Sequence, residues 1–333
     1  MTNSNTSFSQ QTLSAADLGA GFVAVIGDQG LISVTGDDAA TFLHSQLTND
    51  VAHLSQAEVR LAGFCTPKGR LQASFLMWRS AESIFLQLSG DIQPAVQKRL
   101  SMFVLRAKAR LADATPGKTV LGFGGLPAHE ALATMFGTLP PAPYTRLELE
   151  GETLLRVGDA FGAPRYLWIT SAETAEAALP ELSGTLKTGG DQAWRLSEIH
   201  AGVPQITAKT QEQFVPQMIN FELLGGVNFK KGCYPGQEIV ARSQYLGKLK
   251  RRTTLATLDD ASVEAGAEVF DVADPDQPCG MIVNAAANGA GGSDVLVELK
   301  LAALEGADIR LGSANGAPLR LLPMPYVLDA LDV

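Results

Sequence analysis

Apolar residues alternate with small or polar ones over FVAVIGDQGLISV (22–34), the period of two that strands require, and a turn signal at Gly27 to Gly30 breaks the run. Two short strands are expected there. In TGDDAATFLHSQLTND the period changes: Ala39, Phe42, Leu43 and Leu47 recur at spacings of three and four, giving a helix over 38–47 that Asp37 or Asp38 can cap. RLAGFC and RLQASFLMW are strand-like, with the hairpin signal TPKG between them, and IFLQL (84–88) adds a strand. From Asp91, the residues Ile92, Val96, Leu100, Phe103 and Val104 form a helical stripe, and KARLAD returns to strand. The alternation recurs through residue 180, with a helix at 127–136, strands near 145–158 and 165–170, and TLPPAPY (138–144) as a Pro-rich connector. DQAWRLSEIHAG (191–202) reads as a helix stopped by Gly202 ahead of Pro204.

After Gly247 the texture changes. RTTLATL, AEVFDV, CGMIV, DVLVEL and PLRLL are separated by Gly, Asp, Pro and Asn turns and show little helical periodicity. That pattern predicts a small closed or rolled antiparallel sheet. No fixed period repeats along the chain. The expected fold class is α+β: a polar, mobile tail over 1–20, an α+β body over 21–243 and a C-terminal antiparallel β-barrel over 247–330.

Composition agrees with a globular protein of more than one domain: 333 residues, 46% hydrophobic and 18% charged. No apolar run reaches membrane-spanning length, and MTNSNTSFSQQTLSAADLG lacks the basic-then-apolar order of a secretory signal. Cys65, Cys233 and Cys279 are too far apart to suggest a disulfide framework, so a cytoplasmic location is expected. A net charge of −9 argues against general nucleic-acid binding. The one basic run, KLKRR from Lys248 to Arg252, reads as a solvated linker or strand edge.

The chemistry concentrates in FKKGCYPGQEIVAR (229–242). Pro235 suits the first position of a helix, which sets Cys233 just ahead of a helix N-terminus and its partial positive charge. Lys230 and Lys231 add full charges, so an accessible Cys233 is expected to be acidic and nucleophilic. Gly232 and Gly236 leave room for a ligand, and Gln237 and Glu238 fall in the first turn. The bland alternative is a buried, inert cysteine. No second cysteine or histidine lies within ligand spacing of Cys233, so no metal site is expected within the chain. A cluster bridged between two chains stays open. GFGG (122–125) lacks the lysine and helix of a phosphate cradle.

This stretch resembles the signature of the YgfZ family, folate-binding proteins related to the T-protein (aminomethyltransferase) of glycine cleavage. VTGDDAATFLHSQLTNDV, CTPKGRLQASF, EIHAGVPQI and FVPQMINFELLGGVNF resemble further family blocks in the same order, over much of 23–245. The resemblance implies a T-protein-like, three-lobed body whose centre is a funnel for tetrahydrofolate or a derivative, with the barrel closing one side. It also implies support for the assembly or repair of iron–sulfur enzymes, including those that methylthiolate tRNA. Partners would be iron–sulfur enzymes or assembly factors, with neither a membrane nor direct general nucleic-acid binding.

Within that resemblance Cys233 is the reactive thiol at the rim of the folate cleft, Lys231 supplies charge, and Gln237 and Glu238 organise the site. Trp194 matches a folate-contact tryptophan and shares a helix face with Glu198, four residues on. It would stack a ring of the ligand or simply pack in the core. Arg70, after the hairpin turn, would meet the glutamate tail of folate or stay exposed. The sequence also departs from the family pattern. Ala73 and Ser74 stand where the T-protein carries aspartates, and an alanine cannot move a proton, which argues against ordinary aminomethyl transfer. His200 replaces a glutamate that reads the pterin, leaving Glu198 or Asn220 as acceptors, and Gln29 stands near the place of a folate-contact tryptophan. An aminomethyltransferase and a non-catalytic folate-binding scaffold remain as alternatives.

Overall fold

The computed structural model describes residues 12–246, 249–304, 306 and 308–328. The expected tail therefore lies outside the described residues over 1–11, as does Lys248 of the basic run. Residues 15–20 depart from the tail reading: they form helix α1 (Ala15–Ala20), opened by a capping box between Ser14 and Asp17, with Leu18 buried.

Strands β1 (Phe22–Ile26) and β2 (Gln29–Thr35) come next, then α2 (Ala39–His44), β3 (Val59–Cys65), β4 (Leu71–Arg79), β5 (Ser83–Ser89), α3 (Gln93–Ser101) and β6 (Arg110–Asp113). A five-stranded antiparallel sheet takes the order β3-β4-β5-β2-β6. The next elements are β7 (Lys118–Gly124), α4 (Leu126–Phe136), β8 (Thr145–Leu149), β9 (Glu152–Ala160), β10 (Ala163–Ser171), α5 (Ala172–Thr185) and β11 (Lys187–Gly189). They build a six-stranded sheet in the order β11-β1-β7-β10-β9-β8, where β1 pairs with β11 in parallel.

The two strands read from FVAVIGDQGLISV are therefore not a hairpin. β1 pairs with β7 and β11, β2 with β5 and β6, and the bend at Gly27 and Asp28 carries the chain from one sheet to the other. Helix α6 (Asp191–His200) fixes that bend: Asp191 Oδ1 accepts the N–H groups of Gly27 at 2.6 Å and Asp28 at 3.2 Å. A carboxylate in the first turn of a helix also suits the helix dipole.

A 3-10 turn at Pro216–Ile219 and helix α7 (Gln237–Tyr245) lead to the C-terminal sheet. It comprises β12 (Arg251–Leu258), β13 (Glu268–Asp271), β14 (Asp274–Ala287), β15 (Ser293–Lys300), α8 (Leu301–Leu304), β16 (Ile309–Leu311) and β17 (Arg320–Leu322). The strand order is β16-β13-β14-β15-β12-β17, a curled antiparallel half-barrel where a barrel is expected from the sequence. The edge strand β16 meets the chain just ahead of β17 through a single bridge, Arg310 to Pro318, held by Leu311 N to Ala317 O and Leu319 N to Ile309 O, each 2.9 Å.

One core joins the five-stranded sheet, α6 and the outer face of the half-barrel, through Leu88, Leu196, Ile199, Val283 and Leu296. The six-stranded sheet packs α4 and α5 on its other face through Leu132, Trp168 and Leu179. A third cluster, with Val269, Ile282 and Val297, fills the half-barrel. Among the described residues no helix is long and apolar enough to cross a membrane.

Candidate functional site

Two places gather the candidate groups, an inner cavity and the cysteine loop. The cavity, of about 50 Å³, lies between β3, β4, β9, β10 and α6. Its key group is Arg165 of β10, only 1% exposed. Its Nε donates to Gly158 O at 2.8 Å, and Nη1 donates to Ser197 Oγ at 2.9 Å and Glu198 Oε1 at 2.8 Å. The guanidinium also lies 4.8 Å over the Trp194 ring, a cation–π contact. Nη2 has no partner among the described residues.

Other polar groups face the same space. Among the described residues Gln87 Oε1 is buried without a partner, while Ser74 Oγ accepts the N–H of Ile206 at 2.9 Å. Gln29 and Gln205 exchange amide hydrogen bonds of 3.2 and 2.8 Å. The backbone of Gln205 is in turn held by Asn284 of β14, through bonds of 2.9 and 2.8 Å. Tyr144 adopts φ 61°, and burial, then nearby Glu198, pushes its phenol well up.

Gln29 lies both on this cavity and on a wide groove of about 900 Å³ that opens toward Arg195, Lys209 and β14. Asp28 borders the groove, paired with Arg195. Burial and then the neighbouring Asp191 raise its carboxyl, against the pull of Arg195.

The cysteine loop sits elsewhere, between the end of α2 and the hairpin tip at 66–69. Lys231 Nζ donates to Leu47 O at 2.7 Å and to His44 O, two carbonyls left free where α2 stops, and lies 4.8 Å over the Tyr234 ring. Tyr234 is buried and Cys233 exposed. Gly236 caps α7 in the left-handed region, φ 82°, packed against the backbone of Thr66 and Gly69.

Pro235 therefore precedes the cap, and the helix starts at Gln237 rather than at Pro235. The reason is Gly236: its left-handed backbone fits against the hairpin turn, a contact that sequence spacing does not reveal. Cys233 consequently stands beyond the first turn, where the helix dipole acts most strongly.

No protein-family model matches the sequence. The chain is 36% identical over 227 residues to tRNA-modifying protein YgfZ of Cronobacter sakazakii (strain ATCC BAA-894), an alignment covering 67% of each chain. The chain belongs to the YgfZ family. Among solved structures it is similar to the glycine cleavage system aminomethyltransferase T from Bartonella henselae, with TM-score 0.74 and 16% identity over 93% of this chain and 87% of that one. That likeness shows a T-protein fold.

In this YgfZ-family chain the structure brings Trp194 and Glu198 together with Arg165, and separates them from the other expected site residues. Trp194 is 4% exposed, and a Cβ at Gly122 would stand 2.3 Å from its Cε3. With Arg165 over the ring as well, the indole works chiefly as the seat of the guanidinium. No residue of 229–242 lines the inner cavity. Leu61 of β3 lines it, and Cys65, beside Tyr234, lies four residues along the strand, roughly 13 Å at strand rise.

His200 turns from the cavity: its Nε2 meets Asp294 Oδ2 at 2.6 Å and its ring packs on Phe161 at 4.6 Å. Burial acts to raise the Asp294 carboxyl, but bonds from His200, Thr257 and Asn288 prevail and hold it low. Asn220, buried at φ 57°, donates to Thr253 O at 2.8 Å. These two residues tie α6 and the 3-10 turn to the half-barrel. Arg70 donates to Gln213 O near the hairpin, and Glu238 is exposed. In the basic run, Arg251 pairs with Glu298 at 2.7 Å and the buried Arg252 with Glu222.

Lys231 is expected to leave a pH signature. Burial pulls its ammonium from the ordinary 10.5 down to about 8, against the pull of Asp50 and Cys233. Above pH 8 the folded protein releases a proton that the unfolded chain keeps until about 10.4, so the Lys231 contribution to stability rises with pH in that window. Urea unfolding of wild type and Lys231→Met across the window checks it. The stability difference should shift in favour of wild type as pH rises; a flat difference contradicts the assignment.

Arg165, Gln87 and Gln205 were invisible to sequence reasoning, and Gln29 entered it only as the place of a folate-contact tryptophan. A buried arginine in a strand carries no local periodic signal, and the glutamines are typical surface residues by composition. The one available hint was GDQG, a turn whose polar residues interrupt two apolar strands.

Proposed function

We propose that this protein binds a reduced folate, tetrahydrofolate or a derivative, in the inner cavity and, through Cys233, supports the assembly or repair of iron–sulfur enzymes, including those that methylthiolate tRNA. The observation that carries the folate reading is the pair of buried, unpartnered groups on one cavity, Arg165 Nη2 and Gln87 Oε1. Buried polar atoms are nearly always paired, so an unpaired donor and acceptor facing one space invite a ligand that supplies both. A pterin edge offers N–H donors beside a carbonyl. Glu198 and Gln87 Oε1 would accept from the donors, and Arg165 Nη2 would donate to the carbonyl. The wide groove beyond Gln29 leaves space for the rest of the ligand, in the manner of a funnel.

In this reading 21–243 is the folate-binding body and 247–330 the half-barrel domain, in the cytoplasm. Bound folate supplies one-carbon chemistry; the chain orients the pterin and presents a thiol. Ser74 is occupied by the Ile206 amide and Ala73 has no proton to move, so aminomethyl transfer gains no support from these positions. Cys233, exposed beside a lysine, is suited to nucleophilic exchange or to holding part of a cluster in transit.

Calorimetric titration with tetrahydrofolate tests the reading. Saturable binding is expected, weakened about three- to tenfold in Gln87→Leu, the worth of one hydrogen bond. Cys233→Ala should retain the affinity yet fail to restore activity to a methylthiolating iron–sulfur enzyme. Absence of saturable heat overturns the folate site; full restoration by Cys233→Ala favours the scaffold alternative.

A further inference from the structure

The segment from Ile92 to Ala112 contains no aspartate or glutamate and carries Lys98, Arg99, Arg106, Lys108 and Arg110, in a chain of net charge −9. Among the described residues only Lys108 of these five has an ion-pair partner, Asp37 at 3.4 Å. Amid the cations stand three exposed apolar side chains, Met102 at 68%, Phe103 at 43% and Leu105 at 89%. Helix α3 already satisfies its inner face with Val96 and Leu100, both buried. Beyond its C-terminus the chain forms a knob with its own hydrogen bonds: Phe103 N to Leu100 O at 3.0 Å and Ala107 N to Val104 O at 2.8 Å. Val104 and Ala107 pack on the core, while Leu105 takes the left-handed region at φ 46°. A leucine seldom adopts that backbone.

Beside the knob runs a groove of about 300 Å³, between Val96, Arg99 and Met102 on one side and Gln72, Gln211 and Glu212 on the other. Glu212 is engaged by Gln72 Nε2 at 2.9 Å, so the one acid on the groove is already held by an amide. No residue of 96–106 lines the inner cavity.

We propose that the α3 knob and its groove are a docking surface for an acidic, amphipathic segment of a partner protein, whose apolar side chains meet Met102, Phe103 and Leu105 and whose carboxylates meet Lys98, Arg99 and Arg106. The choice of a protein rests on shape and charge together. Unpaired cations around an apolar centre complement carboxylates flanking an apolar anchor, the pattern of a helix laid in a groove. A flat bilayer leaves a concave groove unfilled. A nucleic acid needs an extended basic track and stacking rings, and among the described residues of 92–112 the only exposed ring is Phe103.

The test uses the full chain and a fluorescein-labelled helical peptide of about 15 residues, with leucines at three- and four-residue spacing and glutamates elsewhere. A single-stranded RNA of similar length and phosphatidylserine vesicles are run in parallel. Expected is saturable anisotropy with Kd on the order of 10–100 µM. It should weaken at least about tenfold in Leu105→Ser and in Arg99→Glu/Arg106→Glu, and weaken at high salt. These side chains are exposed, so circular dichroism should be unchanged. The proposal is overturned if the peptide does not bind, if the variants bind it as wild type does, or if RNA or vesicles bind the patch more tightly than the peptide.

Discussion

Arg165→Met should lower the unfolding free energy by about 3–5 kcal/mol, the range for removing one partner of a buried ion pair. The side chain is 1% exposed and serves three acceptors, Gly158 O, Ser197 Oγ and Glu198 Oε1, besides covering the Trp194 ring. Methionine fills much of the volume but leaves the Glu198 carboxylate and the Gly158 carbonyl with no donor in a confined space. Arg165→Lys should recover little, because an ammonium on one stem cannot reach three acceptors arranged around a planar fork. Urea denaturation of the two variants beside wild type measures this. A loss below about 1 kcal/mol, the worth of an exposed pair, would show that Arg165 does not hold β10 to α6.

Gly236→Ala should be nearly as damaging, and it acts on the cysteine loop. A left-handed backbone costs an L-residue about 1–2 kcal/mol. Here a Cβ would also stand 2.4 Å from Thr66 O and 2.7 Å from Gly69 Cα, backbone atoms that cannot rotate aside. Overpacking of that kind costs about 1–3 kcal/mol more. Gly162→Ala is the control: its φ is 68° but nothing lies within 4 Å of its Cβ, so only the backbone term applies. The larger loss should fall on Gly236→Ala, together with a changed rate of Cys233 alkylation as the loop parts from the hairpin. Equal losses in the two variants would mean that the loop yields without strain.

Both predictions rest on contacts that differ in how legible they were. The glycine is visible in FKKGCYPGQE, and a special backbone at that position is a natural expectation, yet the helix start was misplaced onto Pro235. Proline fits a first helical turn by local rules, and only the packing of Gly236 on Gly69 moves the start to Gln237. The stripe of α6 was readable from Trp194, Glu198 and their spacing. That His200 at its end pairs with Asp294, 94 positions away, was not. FVAVI and LISV were both readable as strands, but alternation says nothing about which sheet a strand joins.

The sequence by itself determined the local periods and hence most strands and the helices α2, α3, α4 and α6, though not α1 or α5, together with the change of texture after Gly247 and a motif that resembles the family signature. Those depend on neighbours within a turn or a strand. The tertiary structure decided where chemistry can occur. Gln29 and Gln205 meet across 176 positions, and Arg165 reaches Glu198 across 33. Such pairs arise because the bend at Gly27 and Asp28 divides β1 and β2 between two sheets and opens a cavity between them. Burial then sets the value of each polar group: a guanidinium that is ordinary at a surface becomes, without water, the fixed centre of a site.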